Sequence, residues 1–320
     1  MIEIADKIKA LFETFDKSGR AALQDFLTAN SGIEKWHIAA DFCLHDSDRP
    51  NNVFAFSIIP YDSEFSTIKS QIHDALPKDW KKSKNITPQA IEFLHDKRRF
   101  HIAFVLPHAP QVFNNGEDTS PLEIARESIS ITVDTLIAQG RTGDSLRRLK
   151  ALKQESKANR FNVELLSDLY LLSDLFCFVT LALARERNID VVGWLPDRDK
   201  MTTWCEGVVF DVGVQCLIGL SEHFKIPVPE KGPLIAAPTP DAGKDAMWYD
   251  ELVRLPDYVA GILSAWNFGT NEIPAERDKY RVMAQDFAAF AENIMVFKVR
   301  YDTGFQAGRI VFGPANTEAA

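Results

Sequence analysis

The sequence predicts an α/β protein built on a mixed sheet flanked by helices. Three features of the chain predict it. Two β-type runs joined by a turn-rich octapeptide read as a hairpin, with a third run after them. A long helical block then interrupts the chain. Beyond it the order becomes strand, helix, strand, helix, and that alternation after antiparallel strands favours one mixed sheet covered by helices.

The elements follow in order. Ile4, Ile8, Leu11, Phe12 and Phe15 recur at helical spacing, so Ile4 to Phe15 reads as an amphipathic helix. Glu3, Asp6 and Glu13 interrupt any apolar region there, which argues against a signal peptide. A second helix covers Ala21 to Ala29. Trp36 to Leu44 and Val53 to Tyr61 form the hairpin, around His45-Asp-Ser-Asp-Arg-Pro-Asn-Asn52. Helices follow at Ser63 to Ala75 and Pro88 to Asp96, and Arg99 to Leu106 is a third strand closed by Pro107. The polar stretch Asn114 to Pro121 opens the helical block, with Thr119 or Ser120 suited to the N-cap and Pro121 to the first helical position. Helices over Pro121 to Ala138, Asp144 to Ala158 and Val163 to Arg187 make this block a helical insertion, about 119–187.

Ile189 to Leu195 is a fourth strand, broken by Pro196-Asp-Arg-Asp-Lys200. A helix over Met201 to His223, a fifth strand at Pro233 to Ala237, and helices over Met247 to Phe268 and Pro274 to Ile294 complete the alternation. Val296 to Tyr301 and Gln306 to Phe312 pair as a hairpin around Asp302-Thr-Gly304, and Asn316 to Ala320 should fray.

Composition sets the bounds. Apolar residues make up 46% of the chain and charged residues 25%, enough for a large core without disulfide or metal staples. With 22 phenylalanines, that core should be rich in aromatic rings. The net charge of -9 argues against general adhesion to nucleic acid or anionic membrane, though it leaves room for a local basic face. Cys43, Cys177, Cys205 and Cys216 form no C-x-x-C pair, so zinc and redox motifs are absent, and the usage fits a reducing, cytoplasmic setting. The most apolar stretch, Leu175 to Ala184, is short for a bilayer, and Asp168 and Asp174 interrupt its extension, so no membrane span is expected. G-x-S-x-G, Walker and G-x-G-x-x-G motifs are absent, which removes support for serine hydrolase, P-loop and Rossmann readings.

Dispersed aspartates carry the strongest chemical signal. Asp41 sits inside the first strand, on one face with His37, Ala39, Cys43 and His45, and its small neighbours leave space beside it. On this segment alone, an exposed strand face with a solvated Asp41 is the stronger explanation. Asp197 and Asp199 follow the fourth strand, where ligand sites of α/β sheets collect. Helix capping by Asp199 and turn formation by Asp197 are the competing explanations. Asp257, in Arg254-Leu-Pro-Asp-Tyr-Val-Ala-Gly261, follows a proline suited to a helix's first turn, where an acid also meets the macrodipole. The Ala260-Gly261 pair would let that helix approach the sheet and carry Asp257 toward the strand ends.

This arrangement resembles a widespread, mostly unassigned family of RNase H-like proteins. In that family the first strand carries an Asp, a later strand ends in another acid, and the C-terminal helix reads roughly Gln-x-Ala-Asp-x-x-Ala-Gly. Leu255 to Gly261 matches the helix motif from its Asp onward, while Asp41 and the Asp197/Asp199 pair match by order and context. The strand motif Asp-Glu-Ser-Gly is here Asp41-Phe-Cys-Leu, and Gln-x-Ala is Arg254-Leu-Pro256. The resemblance implies an RNase H-like mixed sheet flanked by helices over 36–268, with the helical insertion, an N-terminal helical extension at 1–35 and a C-terminal helix and hairpin at 269–320. It implies that the first and fourth strands are central neighbours. Asp41, Asp197 and Asp257 would then act as catalytic metal ligands, with Asp199 as the substitute for Asp197, holding magnesium or manganese for phosphodiester hydrolysis.

Other signals are weaker. Arg147, Lys150, Lys153, Lys157 and Arg160 recur at steps of three or four and form one helical stripe, either a nucleic-acid track or a solvated face. Lys78 to Lys84 surrounds Trp80 with lysines, and an anchoring loop tryptophan is the simpler reading. None of the seven histidines forms a metal-binding pair, and His101 on the third strand reads as a satisfied sheet residue. The apolar residues of Phe161 to Ala184 exceed one helix face, so that helix is either fully buried or half of an interface with a second copy or a protein partner. The leading expectation is a metal-dependent nuclease. The alternatives are an inactive RNase H-like interaction module and a small-molecule phosphohydrolase.

Overall fold

Small and large residues alternate along the first three strands, and this gives the sheet two different faces. The computed structural model describes residues 4–78, 80, 85–106, 112–113, 119–228, 234–235, 247–274, 278–301 and 305–312. In chain order the first elements are α1 (Ile4–Ser18), α2 (Arg20–Ala29), β1 (Lys35–Cys43), β2 (Asn52–Pro60), α3 (Phe65–Ala75), α4 (Pro88–Leu94) and β3 (Phe100–Leu106). The helical block is α5 (Pro121–Ala138), α6 (Asp144–Glu155) and α7 (Val163–Glu186). Then come β4 (Val191–Pro196), α8 (Lys200–Thr203), α9 (Val208–Phe224), β5 (Leu234–Ile235) and α10 (Asp250–Ala265). The chain closes with α11 (Asp278–Met283), β6 (Ile294–Tyr301) and β7 (Phe305–Ile310). The predicted α/β class with a mixed sheet flanked by helices is what these elements form.

All seven strands join one sheet in the order β5-β4-β1-β2-β3-β6-β7. β1, β2 and β3 pair antiparallel in sequence. β4 lies parallel to β1, β5 parallel to β4, and β6 parallel to β3. The C-terminal segment therefore widens the same sheet, with β7 antiparallel on its edge. The turn of that last hairpin, Asp302 to Gly304, lies outside the described residues, as do Asn316 to Ala320, most of the polar stretch from Asn114, and most of Lys78 to Lys84.

One face carries Ile38, Ala40, Phe54, Phe56, Phe104 and Phe297 and packs under α1, α2, α5, α6, α7 and α9. Its rings interlock: Phe104 stacks on Phe297 at 5.3 Å and Phe176 on Trp194 at 4.0 Å. The other face carries Ala39, Ala55 and Ala103 and packs under α3, α4, α10 and α11. Small side chains there bring α10 close to the strands.

The helical block forms as its sequence signals require. Ser120 caps α5 in a capping box with Glu123, and Pro121 opens the helix. α7 is buried along most of its length, from Leu166 to Leu183, which resolves the two expectations for it toward burial within the chain. It is also long and apolar enough to cross a membrane, contrary to expectation, but 89% of its apolar window is buried inside the fold. The two acids that interrupt it are both partnered. Lys7 of α1 reaches Asp174 at 3.2 Å, and His45 reaches Asp168 at 2.7 Å.

Three expectations change. The helix predicted over Met201 to His223 is broken, because Cys205, Glu206 and Gly207 all take positive φ and the flanking helices bend by 95°. Gly207 is the cue, since glycine adopts the left-handed conformation at little cost. The helix predicted over Pro274 to Ile294 ends early, in a π-turn at Ala284–Ala288. Ile294 belongs instead to β6 and pairs with His101, so the open edge of β3 overrides local helix preference. Pro256 lies seven residues into α10 rather than in its first turn. Asp257 is thus a mid-helix acid, and the macrodipole does not explain it.

Gly261 has a different partner from the one expected. A Cβ at this position would collide with the ring of Trp80, which is fully buried and stacked on Tyr258 at 4.5 Å. The close approach to the sheet comes from the alanines of the strands. Gly261→Ala should destabilise the fold by about 1–3 kcal/mol, read as a lowered urea midpoint, because the ring has no room to move.

His101 is buried on β3 and hydrogen-bonded to Ser57 at 2.8 Å. Burial pushes its pKa from an ordinary 6.5 down to about 3. The unfolded chain therefore takes up a proton near pH 6.5 that the folded protein refuses, so this contribution is complete above 6.5 and lost as pH falls toward 3. Between pH 7 and pH 5, urea unfolding of wild type should lose about 2 kcal/mol more stability than that of His101→Asn.

Candidate functional site

Parallel pairing of β1 and β4 puts their C-terminal ends side by side. The register sets Ala40 opposite Pro196, and the Asp197 amide donates to the Ala40 carbonyl at 2.7 Å. Asp41, one residue further along β1, is 5% exposed and lies on the face covered by α10. Its strand neighbour is Ala55, which leaves room over the carboxylate.

α10 supplies the third side. Asp250, Val253, Arg254 and Asp257 stand at i, i+3, i+4 and i+7, so they share one helical face. That face lines a cavity of about 430 Å³ together with Asp41, Phe42, Lys78, Trp80, Asp197, Arg198 and Met247. The structure thus brings Asp41, Asp197 and Asp257 together from positions far apart in sequence. Burial pushes Asp197 up to about 6; the Arg198 amide opposes this, and the charges of Asp257, Asp199 and Asp250 add to the rise. Loss of hydration is the main cause, and repulsion by the neighbouring carboxylates adds to it.

Basic groups enter the same cavity. Lys78 and Arg198 are exposed at its rim. Arg254 is only 8% exposed. Its Nη1 donates to the Leu76 carbonyl at 2.7 Å, at the C-terminal end of α3. Its Nε is buried and has no hydrogen-bond partner among the described residues.

Asp199 stands apart. Its Oδ1 accepts from the Thr202 amide at 2.9 Å, and the Thr202 hydroxyl accepts from the Asp199 amide at 2.9 Å, which closes a capping box at α8. It does not line the cavity. Of the two alternatives after β4, Asp197 faces the cleft and Asp199 holds the helix.

The basic stripe of α6 is also elsewhere. Leu149 and Leu152 anchor α6 in the layer with α7, on the sheet face opposite α10. Arg147 forks Glu206 at 2.6 and 2.8 Å and also meets Asp144. Lys153 reaches Asp134 at 3.3 Å and Lys157 reaches Gln154 at 2.9 Å. Lys150 and Arg160 are exposed, and none of the five lines the acid cavity.

His37 is held between Gly193 and the rings of Tyr61, Phe65 and Trp248. Burial pushes its pKa down to about 4 and keeps it neutral. Among the described residues, no three acids, histidines or cysteines stand close enough to share one metal ion.

Sequence reading missed Asp250, Arg198 and the His45–Asp168 pair, and it took Arg254 only as a departure from a motif. The signal for Asp250 was present, because its spacing from Asp257 is two helical turns. The His45–Asp168 contact joins residues 123 positions apart and leaves no local pattern.

Comparison of the chain with protein-family models, with curated proteins and with solved structures gave no match.

Asp199→Ala should cost about 0.5–2 kcal/mol of stability through loss of the α8 cap. Melting curves of Asp199→Ala beside Asp197→Ala check this, since only the former should show a cap-sized loss.

Proposed function

We propose that this chain is an RNase H-like, metal-dependent phosphodiester hydrolase acting on nucleic acid. The observation that carries the reading is the cleft itself. A β3-β2-β1-β4-β5 order with β4 parallel to β1 sets acids from the first strand, the end of the fourth strand and a later helix around one cavity. These are the positions that the RNase H-like resemblance implies.

The donor set fits a hard divalent cation. Asp41, Asp197 and Asp257 offer only carboxylate oxygens, the ligands magnesium and manganese prefer. Among the described residues no three of the lining groups stand close enough to hold one ion together. That suits an ion held by one or two carboxylates with the remaining positions left to water and substrate oxygens. When bound, the cation supplies Lewis-acid polarisation of the phosphoryl group and a lowered pKa for the attacking water.

The chain's own groups do the rest. Lys78 and Arg198, exposed at the rim, attract the phosphodiester and hold its non-bridging oxygens. Water adds to phosphorus while the bond to the leaving sugar oxygen breaks. The water's proton passes to a cleft carboxylate, and the leaving oxygen takes a proton from solvent. Phe42, Trp80, Met247 and Val253 make the apolar part of the described wall and exclude bulk water there.

An RNase H-like interaction module is the second reading. The absence of a three-ligand cluster among the described residues favours it.

Labelled single- and double-stranded DNA and RNA, incubated with magnesium or manganese, test the proposal. Asp41→Asn and Asp257→Asn should each lower cleavage by about 10²-fold or more, with circular dichroism melts that show a folded chain. Cleavage that survives both substitutions would remove the site assignment. No cleavage of any substrate by wild type would place the interaction module first.

A further inference from the structure

Another cavity lies at the opposite end of the sheet from the acid cleft, under α2. Its volume is about 760 Å³, within the roughly 300–1,000 Å³ of small-molecule sites. β3 and β6 run parallel and bring their first residues, Phe100 and Ile294, to this corner. β7 returns antiparallel and contributes Arg309 near its end. From α2 come Ala22, Phe26 and Ala29, at i, i+4 and i+7 on one helical face. Phe26 rests on Phe100 at 5.4 Å and holds the helix off the strands. The two alanines leave the space beside it open.

Arg309 points into this corner. Phe305 and Ala307 share its face of β7 and pack with the core under α1 and α2, while Ile310 packs on the other side. The side chain is half-buried, and burial pulls its pKa down; no acid raises it among the described residues. Its Nε is sealed from solvent without a partner, which leaves the two Nη groups as the end open to a ligand. Lys97 differs, because it is exposed, paired with Glu292 and also attracted by Asp25. A half-buried cation without a counter-charge is unfavourable, and an incoming anion offsets that cost. The fork of Arg309 matches the two oxygens of a carboxylate. Asp25 and Glu292, exposed on the same wall, oppose a second negative charge, so a monoanion fits better than a dianion.

We propose that this cavity binds a small monocarboxylate with an apolar chain. Arg309 forks the carboxylate, and the chain lies along α2 over Phe26 and Phe100. The site is separate from the acid cleft, on the other face of the sheet, and does not depend on the hydrolase reading.

Calorimetry of the full chain at pH 8, with decanoate as the probe, tests this. Wild type should bind one decanoate per chain. Decan-1-ol has the same chain without the charge and should bind about ten-fold more weakly or less. Acetate, which lacks the chain, should not bind. Arg309→Gln should lower decanoate affinity about ten-fold or more and leave decan-1-ol unchanged. Ala29→Trp, at an exposed position of the cavity wall, should block decanoate. Circular dichroism melts establish that both variants fold. Wild type that binds no decanoate, or binds decan-1-ol as tightly, would overturn the inference whether or not Arg309→Gln folds. Decyl phosphate bound more tightly than decanoate would overturn the choice of a monocarboxylate. A folded Ala29→Trp chain with wild-type decanoate affinity would remove the ligand from this cavity.

Discussion

The close seating of α10 on the sheet is the constraint on which the rest of the site depends. Ala39, Ala55 and Ala103 lie on one face of three adjacent strands, and Ala55 is paired directly with both Asp41 and Ala103. They belong to one buried cluster with Leu255, Val259 and Ile262 of the helix. Larger residues would lift α10 and carry Asp250, Arg254 and Asp257 away from the strand ends. Asp41 sits where this floor of small residues meets the cavity. The acid on the strand and the acids on the helix share one space because nothing bulky separates them.

The opposite face solves a different problem. There the strands present Phe54, Phe56 and Phe104, and the helices answer with Phe12, Phe176 and Phe178. Edge-to-face and stacked rings fill the volume between sheet and helices. Within this apolar layer α7 carries two buried acids, each met by a basic group from a distant element, Lys7 for Asp174 and His45 for Asp168. Burial still pushes Asp168 up to about 6 despite its histidine. Such pairs hold α7 in one rotational setting, because any other would leave a carboxylate facing phenylalanine.

Charge in the cleft is graded by depth. Lys78 and Arg198 are exposed at the rim, while Arg254 is locked beneath them by the end of α3. The acidic net charge of the chain does not oppose this, since field strength in a cleft follows the local groups. The α6 stripe, despite its higher density of basic residues, spends part of its charge on Glu206 and Asp134 on the far side of the sheet.

The sequence by itself determined most of the strands and helices, the mixed α/β class, and Asp41, Asp257 and the Asp197/Asp199 pair as the acids worth attention. Periodicity, turn residues and capping signals act over a few positions, and these carried β1, β2, β3, β4 and the start of α5 at Ser120. Only the tertiary structure decided between Asp197 and Asp199, because that choice depends on which carboxylate the α8 amides capture. It alone recruited Asp250 and Arg254, whose importance comes from the helix face that meets the sheet. It alone turned Ile294 from a helix into the start of β6, since an unpaired edge on β3 outweighs local propensity. Local chemistry writes elements into a chain, but which side chains share a cavity follows from long-range pairing that no short window contains.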